Sequence, residues 1–259
     1  MRFIIFLLMM VMSFSLFAGE KISEKEKSMF IRNVVIPLPS EIILALDNLT
    51  DVDWKNSVKY NYSADYEENY EIVLNLGIKV ANGFIAIQAK DKKNIGEMFS
   101  VSKNLAENFG AKSNLFARKE EIINLVKSND WNKLRETLDD MQQKIKIEMA
   151  KYHPDFVTLS SIGGWLQGLS VVSGTLTKNY TKKASTILYQ PVLINHFIEK
   201  IDALDKKHGK LPIVVKIKKA LVEIKGLTNV GFSKPISKES IEKLYKISSS
   251  LINEIEKGE

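Results

Sequence analysis

The chain has 259 residues, with 37 Lys plus Arg against 31 Asp plus Glu, three His and no Cys. Its net charge of +6 comes almost wholly from Lys, with Arg only at positions 2, 32, 118 and 135; so few guanidinium forks argue against nucleic-acid recognition. The absence of Cys excludes a disulfide framework and a thiolate metal site, so stability has to come from packing.

Residues 1–18, "MRFIIFLLMMVMSFSLFA", place one charge at Arg2 before an apolar run and end on the small Ala18. That order is expected of a cleaved secretory signal peptide rather than a membrane anchor, because Ser13 and Ser15 dilute the apolar run. Cleavage would remove one basic residue and no acid, leaving a net charge of +5. Residues 19–70 read as a charged leader, a short helix capped by Ser40, and a Tyr-rich loop.

Residues 71–259 predict an all-α fold, a single multi-helix bundle of about eight helices. "YEIVLNLGIKVANGFIAIQAKD" is apolar nearly all round, the mark of a helix buried on several sides. Asn75, Lys79 and Asn82 break that surface at i, i+4 and i+7, forming one polar stripe in which Lys79 has to find water, a carboxylate or a ligand. Snorkelling of Lys79 to the surface is the preferred expectation. "KKNIGEMFSVSKNLAENFG" ends at Gly110 as a helix stop, and "SNLFARKEEIINLVKSN" follows.

In "DWNKLRETLDDMQQKIKIEMAKYH", Trp131, Leu134, Leu138, Met141, Ile145 and Met149 keep helical spacing behind an Asp130 cap. Arg135, Asp139 and Gln142 border its apolar face, where an Arg135–Asp139 pair is favoured over a binding role. Pro154 opens "PDFVTLSSIGGWLQGLSVVSG", whose several glycines each cost about 1 kcal/mol in helix propensity. Such a helix calls for a close approach by a neighbour. Gly77 and Ala81 are expected to pack against Gly164 and Gly168; a ligand pocket lined by Lys79, Asn82, Trp165 and Gln167 is the alternative. A helix through "VLINHFIEKIDALDKK" to Gly209, one from Pro212 to Gly226, and a last one in "SKESIEKLYKISSSLINEIEK" complete the bundle.

Lys206 to Lys225 contains seven lysines and one acid, Glu223. A solvated face is the default; contact with an anionic envelope or membrane surface, or with an acidic partner, is the functional option. His153, His196 and His208 show no metal-binding spacing, and nucleophile-elbow, P-loop and dinucleotide motifs are absent. His153 with Asp155 reads as a helix-end histidine beside a capping carboxylate, although distant residues could join it in the fold. The sequence therefore nominates no catalytic residue, metal ligand or cofactor.

At "NGFIAIQAKD", "DWNKLRETLDDMQ", "SSIGGWLQGL" and "LYQP" the chain resembles a group of uncharacterised exported bacterial all-helical proteins with a Gly-Gly-Trp helix, over about residues 70–200. The resemblance implies a bacterial, periplasmic or secreted location and transfers no site residue. The expected function is a non-catalytic envelope-associated binding or interaction protein. A small-molecule binder with its pocket between helices 71–90 and 154–178 is the alternative, and a hydrolase without a local motif is the second alternative.

Overall fold

The computed structural model describes residues 52–110 and 116–258; the expected signal peptide and the Ser40-capped helix lie outside them. Eight helices of ten or more residues occur among the described residues, and no strand. They are α1 (Asn69–Gln88), α2 (Lys92–Asn108), α3 (Lys119–Ser128), α4 (Trp131–Tyr152), α5 (Pro154–Lys178), α6 (Pro191–Asp202), α7 (Pro212–Thr228) and α8 (Lys238–Lys257). A single helical turn, Lys182–Ser185, leads into a 3-10 turn at Thr186–Leu188, and further 3-10 turns lie at Trp54–Asn56 and His208–Lys210.

Local chemistry accounts for most boundaries. The side chains of Asp91, Asp130 and Ser237 accept hydrogen bonds from the third amides of α2, α4 and α8, satisfying donors that a helix start leaves open. Pro154, Pro191 and Pro212 open three helices at the position where a missing amide costs least. Asn129 and Gly258 close α3 and α8 in the left-handed conformation, and Gly110, φ +102°, follows α2.

Three expected boundaries are corrected. Helix α3 begins at Lys119, after a turn, rather than near Ser113. Helix α6 stops at Asp202, because the Asp205 carboxylate takes the amide of His208 at 2.8 Å and nucleates a separate turn. Helix α7 continues through Gly226 to Thr228, since glycine ends a helix only when the chain turns left-handed there.

Helices α1 and α5 form the centre. Helix α5 runs along both α1 and α8, α1 also packs on α2, α4 covers another flank of α5, and α7 bridges α6 to α8. Both central helices are long and apolar enough to cross a bilayer by length and composition, and both are mostly buried inside the bundle.

The glycine crossing brings backbone onto backbone. A Cβ added to Gly77 would lie 2.0 Å from the Ser160 carbonyl oxygen, and one on Gly163 would lie 2.3 Å from that of Leu74. Gly164 sits over the Gly77 carbonyl, and Ala81 is buried. The expected contact set needs one correction: Gly168 has no neighbouring atom within 4 Å of an added Cβ, and Gly163 holds the close approach in its place. At Gly77, Gly163 and Gly164 the missing side chains therefore serve main-chain proximity.

Candidate functional site

The polar stripe of α1 is wholly buried, and each member has a partner. Asn75 donates to the carbonyls of Glu71 (3.0 Å) and Ile255 (2.9 Å). Lys79 does not snorkel: its ammonium is fully buried and lies 2.6 Å from the Glu256 carboxylate at the end of α8. Burial pushes the Lys79 pKa down, and Glu256 opposes that shift. Asn82 Oδ1 accepts from Gln167 Nε2 at 2.6 Å, tying α1 to α5.

Trp165 points elsewhere, donating its indole N–H to Gln190 Oε1 at 2.9 Å. Together with Gly168, Val172, Ile194 and Ile224 it lines a small cleft beside α6 and α7. The four residues considered as a pocket lining are therefore split between two places, and three of them spend their polar groups on one another or on Glu256. A second, largely apolar cleft opens between α1, α2 and α4, lined by Lys79, Val80, Phe84, Met98, Met141 and Gln142. It carries little polar surface for recognising a ligand.

On α4, Arg135 donates to Asn132 (2.7 Å) and to Gln88 of α1 (3.3 Å). Asp139 acts electrostatically on Lys146 two turns further along, raising a pKa that burial lowers. Arg118, at the start of α3, holds Glu121 through two bonds of 2.6 and 2.8 Å and reaches Asp140 at 2.9 Å. These contacts brace α3 against α4.

Two surface features stand out chemically. The first is the outer ridge of α7. Val215, Lys219, Val222 and Gly226 follow one another at helical spacing on the face opposite the buried Ile213, Ile217 and Ile224, and all four are exposed. Lys216 and Lys218 flank the ridge, paired with Glu254 (2.6 Å) and with Asp202. Just past the helix, Phe232 is 84 % exposed, although its ring lies 6.4 Å from that of Tyr189. Lys234 and Lys238 follow it.

The second feature joins the α4–α5 junction to the turn after α6. His153, Asp155, Asp205 and His208 bring one ligand atom each within 4.8 Å of all the others. His208 Nδ1 stands 2.8 Å from Asp155 Oδ2 and 3.3 Å from Asp205 Oδ2, and His153 Nε2 stands 3.1 Å from Asp205 Oδ2. The Asp205 amide donates to Asp155 Oδ2 at 3.1 Å. The backbone N–H of His208 holds the Asp205 carboxyl below the usual carboxylate range, against some desolvation, with electrostatic help from the neighbouring His208 and His153 rings. His153 with Asp155 was visible as a pair in the sequence; Asp205 and His208, fifty residues on, were not.

No family model, curated protein or solved structure matches the chain. Function has to be read from the ridge, the cluster and the chemistry each can perform.

Phe232 was also missed by sequence reading. Its only signal was an aromatic residue in "NVGFSKP", a turn with Gly231 at φ +103° and Ser233 at φ 57°.

Proposed function

We propose that the protein is an exported, non-catalytic helical scaffold that works at the cell envelope by docking on an anionic lipid surface through the outer ridge of α7. One observation carries this reading: Phe232, 84 % exposed, follows a ridge bearing Val215 and Val222, 40 % and 54 % exposed, in a lysine-rich setting. Apolar side chains ringed by long amines suit the interface of a bilayer, where the rings and methyls enter the acyl boundary and the ammonium groups stay among phosphates. Lys219 and Lys225 are the cations on this face for which the ridge itself offers only Glu223 as a counter-charge.

Sedimentation with lipid vesicles tests it. The protein is expected to pellet with vesicles containing phosphatidylglycerol and to stay in solution with pure phosphatidylcholine, and binding should weaken as salt screens the charges. Each of Lys219→Glu and Lys225→Glu should cost at least about fivefold in partitioning, given roughly 1 kcal/mol for each cation near an anionic surface. Phe232→Ser should cost about tenfold, an apolar contribution within the range for burying a large side chain. Equal pelleting with neutral vesicles, or none with either, would dismiss the lipid surface as the partner.

A further inference from the structure

The geometry points to a metal site: we propose that His153, Asp155, Asp205 and His208 bind one first-row divalent cation, with Zn²⁺ as the representative ion. The donor set is two imidazoles and two carboxylates, a mixture that suits zinc and its neighbours better than magnesium or calcium, which prefer all-oxygen shells. With both imidazoles neutral the four ligands carry two negative charges, matching the charge of the ion.

The spacing agrees with the chemistry. Tetrahedral zinc with bonds of about 2.0–2.1 Å separates its donors by roughly 3.3 Å. The observed donor separations are 2.8 Å (His208 to Asp155), 3.1 Å (His153 to Asp205) and 3.3 Å (His208 to Asp205). All four donors lie within 4.8 Å of one another, so the longer separations have to shorten by up to about 1.5 Å to close a tetrahedron around a central ion. Two carboxylates gathered this closely repel each other, and in the metal-free arrangement the imidazole N–H groups compensate by donating to them; a cation would do so more strongly.

The surroundings already orient the ligands. Main-chain amides fix both carboxylates, Asp205 to Asp155 at 3.1 Å and His208 to Asp205 at 2.8 Å. The Phe156 ring lies 5.6 Å from each imidazole and shields one side, and the imidazoles themselves meet edge to face at 4.8 Å. Such outer contacts are what hold ligand rings and carboxylates in place around an ion. His153 Nδ1 accepts the Asp155 amide at 3.2 Å, so its proton resides on Nε2 in the metal-free state. Binding through Nε2 needs that proton on Nδ1, so the His153 ring has to give up the Asp155 amide contact when an ion enters. The α5 N-terminus adds partial positive charge at this point, which is a reason for two carboxylates rather than one.

The test uses the untagged chain, stripped with a chelator and titrated with Zn²⁺, Mg²⁺ or Ca²⁺ while native mass spectrometry counts bound ions. One Zn²⁺ is expected, with a melting temperature raised by several degrees and restored by chelator, and X-ray absorption should show outer-shell scattering from two imidazoles. Because His208 and Asp155 are buried and their variants could unfold, the decisive substitutions are Asp205→Asn and His153→Gln, on the more exposed side chains. Each should weaken Zn²⁺ binding at least tenfold while the circular dichroism spectrum is unchanged. Absence of bound Zn²⁺, undiminished binding by both variants, or equal uptake of Mg²⁺ would each overturn the assignment.

Discussion

Gly77→Ala is expected to lower the stability of the bundle by about 3 kcal/mol or more, at the upper end of what overpacking costs. The added methyl would sit 2.0 Å from the Ser160 carbonyl oxygen and 2.8 Å from the Gly164 nitrogen. Neither atom belongs to a side chain that can rotate away, so the two central helices have to separate along their most extensive contact. Gly163→Ala should behave alike, since its methyl would meet the Leu74 carbonyl at 2.3 Å. Gly168→Ala is the control in the same helix: nothing lies within 4 Å of its added Cβ, and the gain in helix propensity should stabilise by up to about 1 kcal/mol. Thermal unfolding followed by circular dichroism measures all three. For a domain of this size the Gly77 variant should melt roughly 5–10 °C lower, and an unchanged curve would mean that the crossing is looser than described.

Glu256→Gln should be the next most damaging change, at about 3 kcal/mol, because it leaves the Lys79 ammonium buried without its anion. The pH dependence has a definite sign. Burial lowers the Lys79 pKa in the folded chain, so the unfolded chain binds the extra proton more tightly, and this group's contribution to stability improves as pH rises toward the ordinary lysine value. Removing Glu256 removes the influence that opposes the lowering. The deficit of the variant relative to the parent should therefore be largest near neutral pH and shrink in alkali, which denaturant titrations at several pH values would reveal. Lys79→Met should cost less, about 1.5 kcal/mol or under, because Glu256 borders solvent and can hydrate once its partner is gone. Combining the two substitutions should recover most of the loss seen with Glu256→Gln alone. A Glu256→Gln deficit that is independent of pH would contradict the ion pair.

Helical spacing and caps made the bundle legible, because both depend on residues within a few positions of each other. Asp130, Ser237, Pro154 and Pro212 mark helix starts that the structure retains. The polar stripe Asn75, Lys79, Asn82 was equally local, and its inward placement followed from the apolar residues around it. What completes the stripe was not local: Glu256 is 177 residues from Lys79 and Gln167 is 85 from Asn82. Nothing in one-dimensional periodicity ties such positions together, which is why a surface exit for Lys79 looked reasonable. The ridge of α7 could be read as basic, whereas the exposure of Phe232 depends on how the turn from Gly231 to Lys234 leaves the bundle. For His153, Asp155, Asp205 and His208, the early end of α6 was decisive, because a helix continuing to Gly209 would have carried Asp205 and His208 along its own axis.

The union of α1 with the last turn of α8 also fixes when the core can close. Asn75 bonds the Ile255 carbonyl, Lys79 meets Glu256, and Tyr66 donates to the Glu256 carbonyl at 3.2 Å. A ribosome making this chain releases α1 long before any of those acceptors exists. Until α8 is made, α1 therefore carries a lysine without its counter-ion, and burial of that helix stays unfavourable. Closure of the core is thereby deferred until α8 has been made, and a chain truncated before Ile255 would be left with an unsealed centre.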